Sequence, residues 1–368
     1  MPVSRRVRIG LIGYGTWAQR VHIPSIGLSQ SAVLTAVCGP DAARAREIAA
    51  EAGAELATAH PDELISSSQV DAVLIASPND AHMAPALAAA QAGKAVLCEK
   101  PLAVSLADAR RMTDAAAQAG VVHMTAFTWR HVPAAALAQH LMAAGEIGRI
   151  FHIAGHFLQE RWLTPDTTRL WRFDRRRAGS GILGDLGVHL FDLLEWMTGQ
   201  RVVRVCAGLA SFGWTPEVEG QTPVFDDAHL LLEFSSAARG TVHLSRVAKA
   251  AGRSPFPQMH QGIEIYGERG AILYDLHNHS GLEVRPLGQP TRRIPVPDPL
   301  PASDDEWVVT RELGRRQIER FAQAVQNRTG TAPDFRAGLR AQTIVDAAER
   351  SWEARGWADV NGEPGVPA

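Results

Sequence analysis

The stretch "VRIGLIGYGTWA", Val7 to Ala18, runs from an apolar segment through a glycine turn into the start of a helix. Its small residues are spaced Gly13-x-Gly15-x-x-Ala18. Gly13 permits a tight turn, Gly15 lets the backbone approach a pyrophosphate, and Ala18 lets helix and strand pack closely. The phosphates of a dinucleotide would then lie at the helix N-terminus. Thr16 and Trp17, inside the same turn, join Gly13, Gly15 and Ala18 as candidate cofactor residues. A glycine pattern alone is weak, because glycines often only mark turns, so its meaning depends on the chain around it.

Beyond the turn, short apolar runs alternate with alanine-rich helical stretches. "VRIGLIG", "AVLTAVCG", "VDAVLIAS", "AVLC" and "VVHMTAF" read as strands. Between them lie "TWAQRVHIPSIGLS", broken by Pro24, then "DAARAREIAAEAG", "AHMAPALAAAQAG" and "SLADARRMTDAAAQAG". The last opens with a Ser105-x-x-Asp108 capping box and stops at Gly120. Strands apolar on both faces, alternating with helices, predict parallel βαβ units with helices packed on both sides. The expected fold class is therefore α/β, with an N-terminal doubly wound Rossmann sheet over residues 1–128.

From residue 129 to 368 the expectation changes to an α+β domain for substrate binding and oligomerisation, built on an open, mainly antiparallel sheet. "RIFHIAGHFLQ", "DAHLLLEF" and "RGTVHLSRV" alternate in polarity, and "IEIYG", "AILYD", "LEVRP" and "RRIPV" are short runs separated by turns. A helix near Ile182–Met197 interrupts the strands, and "RELGRRQIERFAQAVQNR" and "FRAGLRAQTIVDAAERSWEA" read as two late helices.

The chain has 368 residues, enough for two domains, and 37 basic against 39 acidic side chains. The resulting net charge of -2 argues against nucleic acid or an anionic membrane as a partner. Cys38, Cys98 and Cys206 are too scattered for a disulfide frame or a metal cluster, and fit a reducing, cytoplasmic setting. "SRRVRIG" has the look of a twin-arginine export signal, but the following "LIGYGTWAQ" is too short and glycine-broken for a signal peptide's apolar core. No apolar run reaches the roughly 18 residues of a membrane span. No metal site is expected: His277 and His279 of "HNH" lack a third ligand in sight, and His152 and His156 alternate along a strand.

The end of the second strand bears on the choice of cofactor. An acid there would hydrogen-bond the ribose 2′-hydroxyl of NAD. The chain instead reads "AVCGPDAAR", with Gly39 in that place and Arg44 close behind. A glycine removes repulsion toward a 2′-phosphate and an arginine would neutralise it, whereas Asp41 argues for NAD. The cofactor expected is NAD or NADP, with a slight lean to NADP.

The second chemical stretch is "GSGILGDLGVHLFDLLEW", where Asp185 and His189 stand four apart and share a helix face. A carboxylate beside an imidazole raises its proton affinity and fixes its orientation, which suits a general acid/base. A third stretch, "CEKP" at Cys98–Pro101, places one of only three lysines just past a buried strand. Strand ends of an open α/β sheet face the ligand crevice, and a partly desolvated ammonium there can stabilise a developing alkoxide.

The glycine turn, "CEKP" and "GSGILGDLGVHLFD" together resemble the Gfo/Idh/MocA family of nicotinamide-dependent oxidoreductases, which includes inositol dehydrogenases and glucose–fructose oxidoreductase. "SPNDAH" at Ser77–His82, "HIP" at His22–Pro24, "TWRHVP" at Thr128–Pro133 and "YGERGAILY" at Tyr266–Tyr274 extend the resemblance over nearly the whole chain. It implies Lys100, Asp185 and His189 as the catalytic set. It also implies Ser77, Pro78, Asn79, His82, Glu99 and Lys100 as cofactor residues beside the glycine turn, Gly39 and Arg44.

Toward substrate, the resemblance implies Arg130, Trp171 and Arg172 alongside Lys100, Asp185 and His189, with Asp192 near them. Trp162 or Trp171 would stack on a sugar face and Arg172 would bind hydroxyls or a carboxylate, whereas Arg175–Arg177 read as a subunit contact or solvated loop. The implied reaction moves a hydride between nicotinamide and a secondary alcohol or ketone of a sugar, cyclitol or related polyol. A homodimer or homotetramer built by pairing the open sheets is implied as well. Alternatives are an NAD-dependent glycosidase, an imine-type reductase, or a non-catalytic nucleotide-sensing regulator; the last would be expected to lose Lys100, Asp185 or His189, all present here.

Overall fold

Ala72–Ile75 and Ala95–Cys98 are buried at every position, as parallel strands covered on both faces must be. In the computed structural model, which describes residues 5–160, 171–212 and 224–360, they belong to a six-stranded sheet. Its strands are β1 (Val7–Ile12), β2 (Ala32–Cys38), β3 (Leu56–Thr58), β4 (Ala72–Ile75), β5 (Ala95–Cys98) and β6 (His123–Thr125). They lie in the order β3-β2-β1-β4-β5-β6, and every neighbouring pair is parallel. The order reverses between β1 and β4, which sets a topological switch point at their carboxyl ends. β3 and the helix Pro61–Ser66 are absent from the elements read in the sequence, because three and six residues are too few to show a period.

Successive residues of each strand feed opposite layers. Ala72 and Leu74 join Leu11, Leu34 and Leu97 in one core, while Val73 and Ile75 join Val96, Leu64 and Met112 in the other. The first of these layers is completed by Ile318, Phe321 and Ala322, from the long helix Glu306–Asn327. Accordingly the described residues fall into two compact units, one drawn from Met1–Thr128 and Trp307–Leu339, the other from Trp129–Glu306 and Arg340–Ala368. The late helix returns to the first unit because its apolar stripe covers a sheet face that would otherwise meet water.

The second unit holds a nine-stranded sheet: β7 (Ile150–Gln159), β8 (Val202–Ala210), β9 (Asp227–Phe234), β10 (Arg239–Ser245), β11 (Met259–Gly267), β12 (Gly270–Asp275), β13 (Gly281–Pro286), β14 (Arg292–Pro295) and β15 (Ala358–Asp359). The order is β14-β13-β12-β11-β7-β10-β9-β8-β15. Neighbours are antiparallel except for β10 and β7, which run parallel, so the sheet is mixed and mostly antiparallel. One face is covered by the helix Val188–Thr198, whose Leu190 would lie 3.3 Å from a Cβ at Gly155 of β7. The other face carries the polar alternates His156, His229, His243 and Glu264. No helix among the described residues is long and apolar enough to cross a membrane.

Phe321→Ala tests the assignment of the late helix to the first core. It should cost about 3–5 kcal/mol and release amide hydrogen exchange in β1 and β2. Loss of protection in β11 and β12 instead would contradict the packing described.

Candidate active site

Backbone geometry fixes the glycine turn. Gly13 N–H donates to the Cys38 carbonyl at 2.8 Å, and its φ of +91° lies in the left-handed region that favours glycine. A Cβ at Gly13 would also sit 2.5 Å from the backbone nitrogen of Ser77. Gly15 has the opposite surroundings: a Cβ there meets nothing within 4 Å, which leaves the exposed backbone open to a pyrophosphate. Ala18 is buried at the start of a π turn, Ala18–His22, that leads into the helix Ile23–Gly27. The Trp17 indole Nε1 is buried with no hydrogen-bond partner among the described residues, a donor of the kind that a bound polar group satisfies. The turn therefore fits a dinucleotide.

Gly39 has a reason of its own. A Cβ on it would fall 2.0 Å from Cε1 of Tyr14, so the aromatic ring takes the space above it. The Tyr14 hydroxyl donates to the Asp41 carbonyl at 3.1 Å and accepts the Asp41 N–H at 3.0 Å. Asp41 in turn caps the helix Ala42–Ala52, accepting from the N–H groups of Ala43 and Arg44. The Arg44 guanidinium donates to Glu47 at 2.8 Å and to Gln19 at 3.3 Å. Tyr14 was invisible as a functional residue in the sequence, since it fills a wild-card position of the glycine pattern.

The turns after β4 and β5 are tied together by His82, which is fully buried. Its Nε2 lies 3.0 Å from the Ser77 carbonyl and its Nδ1 3.1 Å from the Pro101 carbonyl. Burial pushes the imidazole pKa down, and a neutral ring donates to only one of these carbonyls. Ser77 Oγ donates to the Ala81 carbonyl at 3.1 Å, closing the short turn Asn79–Ala81 that follows Pro78.

Glu99 binds the other side of the site. Its Oε1 accepts from Nε2 of the buried His22 at 2.7 Å, and its Oε2 accepts the Lys100 backbone N–H at 3.1 Å. Burial alone would push the Glu99 carboxyl up, but the His22 hydrogen bond, His22 and Lys100 outweigh it and hold the group below its ordinary 4.5. Lys100 is half-buried, and the Lys100–Pro101 peptide is cis.

In the second unit Asp185 lies on the π turn Leu183–Gly187 and His189 on the helix Val188–Thr198 that continues it. His189 is buried, with ring centroids of Trp129 and Phe157 at 6.1 and 6.3 Å. Arg246 has the largest fully buried side chain among the described residues, only 2% exposed. Its Nη2 donates to the Phe225 carbonyl at 2.7 Å and its Nε lies 3.4 Å from Asp226. Burial pushes the guanidinium pKa down, while Asp185 and Asp226 push back, so a buried positive charge stands near the Asp185 carboxylate. In sequence Arg246 merely ends an alternating strand and gave no signal.

Arg130 forms a two-pronged ion pair with Asp192, both hydrogen bonds at 2.6 Å, and lies 5.2 Å over the Trp196 ring. Trp171 and Arg172 belong to the short turn Trp171–Phe173, the guanidinium 4.5 Å from the indole centroid. Trp162 lies outside the described residues. Arg175 pairs with Glu349 at 2.8 Å and the exposed Arg176 with Asp174 at 3.2 Å.

A family model for the oxidoreductase family, NAD-binding Rossmann fold, matches residues 7–127, and one for the GFO/IDH/MocA C-terminal domain matches residues 135–273. The chain belongs to the Gfo/Idh/MocA family. Like the family it is an oxidoreductase, with an NAD-binding Rossmann fold in its first unit. The levoglucosan dehydrogenase of Pseudarthrobacter phenanthrenivorans is 30% identical over 348 residues, covering 85% of this chain and 87% of that protein. The myo-inositol 2-dehydrogenase of Thermotoga maritima is 32% identical over 269 residues, 73% of this chain and 75% of that one. A solved structure of levoglucosan dehydrogenase in complex with NADH and levoglucosan superposes with a TM-score of 0.87 at 28% identity, covering 97% of this Gfo/Idh/MocA chain and 100% of that one.

The Glu99 carboxylate makes a pH-dependent contribution of definite sign. Because its pKa in the fold lies below 4.5, the stabilisation is present above that value and disappears as pH falls through the depressed one. The difference in Tm between the parent protein and Glu99→Gln should therefore be largest near neutral pH and shrink in acid. A difference independent of pH from 7 to about 3 would remove this contribution from the account.

Proposed function

We propose that the protein oxidises a secondary alcohol of a sugar, cyclitol or related polyol, or reduces the matching ketone, with NAD as cofactor. The observation that carries the reading is the presence, in one chain, of a dinucleotide-fitting glycine turn and all three of Lys100, Asp185 and His189. The names of relatives support the substrate class: levoglucosan dehydrogenase, myo-inositol 2-dehydrogenase and the 1,5-anhydro-D-fructose reductase of Ensifer adhaerens.

NAD, when bound, takes or returns the hydride. Gly13, Gly15, Thr16, Trp17 and Ala18 would hold its pyrophosphate, with Ser77, Pro78, Asn79, His82 and Glu99 around it. His189 removes the hydroxyl proton in oxidation and returns it in reduction. Asp185 holds the imidazole in orientation and raises its proton affinity, with the buried charge of Arg246 near its carboxylate. Lys100 donates to the reacting oxygen and stabilises the alkoxide that forms there. Trp171 and Arg172 are proposed to contact the remaining substrate hydroxyls, with Arg130 supporting that surface through Asp192. By family resemblance the open face of the nine-stranded sheet would pair with that of a second copy, in a homodimer or homotetramer.

The lean toward NADP rests on Gly39 and Arg44. Tyr14 takes up the room above Gly39 and Glu47 engages the Arg44 guanidinium, and both observations favour NAD. Titration of the protein with NADH and with NADPH, followed by nicotinamide fluorescence, should give NADH the tighter binding by roughly tenfold or more, the worth of about one charge-assisted contact. Tighter NADPH binding would restore the opposite reading.

Lys100→Ala and His189→Ala should each lower kcat/KM on an accepted polyol by about 10²–10⁴, while His189→Ala leaves the NADH dissociation constant within about twofold, as loss of a proton-transfer group requires. Turnover near that of the parent protein in either variant would refute the assignment.

A further inference from the structure

The motif "HIP" at His22–Pro24 has no part in the chemistry proposed above, yet its histidine is only 1% exposed. His22 closes the π turn Ala18–His22, which begins at the last small residue of the glycine turn. Its ring has one polar partner among the described residues: Nε2 lies 2.7 Å from Glu99 Oε1, while Nδ1 is buried with none. An apolar side chain would fill such a position without desolvating two ring nitrogens. What histidine adds there is its bond to Glu99.

Glu99 passes that bond on. Its side chain is 12% exposed, and its second oxygen, Oε2, accepts the Lys100 backbone N–H at 3.1 Å. With one oxygen on the ring and the other on the main chain, the plane of the carboxylate is fixed from both ends. The His22 hydrogen bond also works against burial to keep that carboxyl ionised, and a charged acceptor makes the stronger bond. Just beyond Lys100, the Pro101 carbonyl lies 3.1 Å from His82 Nδ1. The backbone of Lys100 is thereby anchored on both sides, and the anchor on its amide leads back through Glu99 to the glycine turn.

We infer that His22 is a positioning residue for the proposed reaction: through Glu99 it fixes the backbone from which Lys100 reaches the reacting oxygen. The inference rests on the role proposed for Lys100. A catalytic group misplaced by about 1 Å costs up to roughly 10²-fold in rate, so a ring that touches no substrate still acts on turnover.

Side chains of different reach separate this role from the filling of space. The amide nitrogen of glutamine stands near the place of an imidazole Nε2, whereas that of asparagine reaches only as far as Nδ1. His22→Gln should keep kcat within about threefold of the parent protein. His22→Asn should lower it roughly tenfold or more, with KM and the NADH dissociation constant within about twofold. A loss of stability common to the two variants cancels in this comparison. Added to Lys100→Ala, His22→Asn should cost less than about a further twofold, because a residue that acts through another loses its effect once that other is gone.

A readout free of cofactor comes from the three lysines of the chain. Protein labelled with lysine carrying carbon-13 at Cε gives one cross-peak for each. His22→Asn should shift that of Lys100 and leave those of Lys94 and Lys249 in place, and His22→Gln should shift none. Parental turnover in His22→Asn, a loss that multiplies with that of Lys100→Ala, or an unmoved Lys100 cross-peak overturns the inference. Parental turnover in Lys100→Ala overturns it differently, by removing the reading on which it rests.

Discussion

Two stretches of backbone that nearly touch govern the first unit. Where β1 turns at Gly13 and β4 ends at Ser77, a single added carbon would fall 2.5 Å from a backbone nitrogen. That approach is possible only because Gly13 lacks a side chain, and other contacts extend from it. His82 reaches from the Ser77 carbonyl to the Pro101 carbonyl, which ties the turn after β4 to the turn after β5. Glu99 then reaches from that turn to His22, in the helical segment that follows β1. The three loops at the strand ends are thereby closed into a ring of buried contacts. The backbone beside Gly15, where open space is wanted, stays clear.

In the second unit the comparable constraint is charge without water. The helix Val188–Thr198 is buried almost throughout, yet it carries Asp192 and Glu195. Each is answered by arginine: Asp192 by Arg130 at 2.6 Å, Glu195 by Arg340 at 2.7 Å and Arg201 at 2.9 Å. A buried acid stripped of its partner is costly, about 3–5 kcal/mol in comparable pairs. These pairs therefore fix the rotation of the helix that presents His189. Arg246 and Asp226, both buried, repeat the device at 3.4 Å. Asp185 and His189, the proposed acid/base pair, thus stand on a scaffold whose polar groups permit few alternative arrangements.

The sequence conveyed some of this and not the rest, for identifiable reasons. Strands covered on both faces leave long apolar runs, so β1, β2, β4 and β5 were legible, as was the capping box at Ser105. β3, with three residues, left no pattern. Histidines that alternate along strands showed which residues share a face, but nothing in β7, β9 or β10 taken singly reveals that His156, His229 and His243 stand in one row.

The chain by itself determined the doubly wound first sheet and the glycine turn, because each rests on short-range spacing: a period of two or 3.6, or small residues where backbone must come close. Tertiary structure alone decided that the helix Glu306–Asn327 covers the first core, that Tyr14 fills the space above Gly39, that β7 and β10 pair in parallel, and that Arg246 is buried beside Asp226. These depend on which distant surfaces bury one another and on which charges share a site once water is excluded, and no local pattern encodes either.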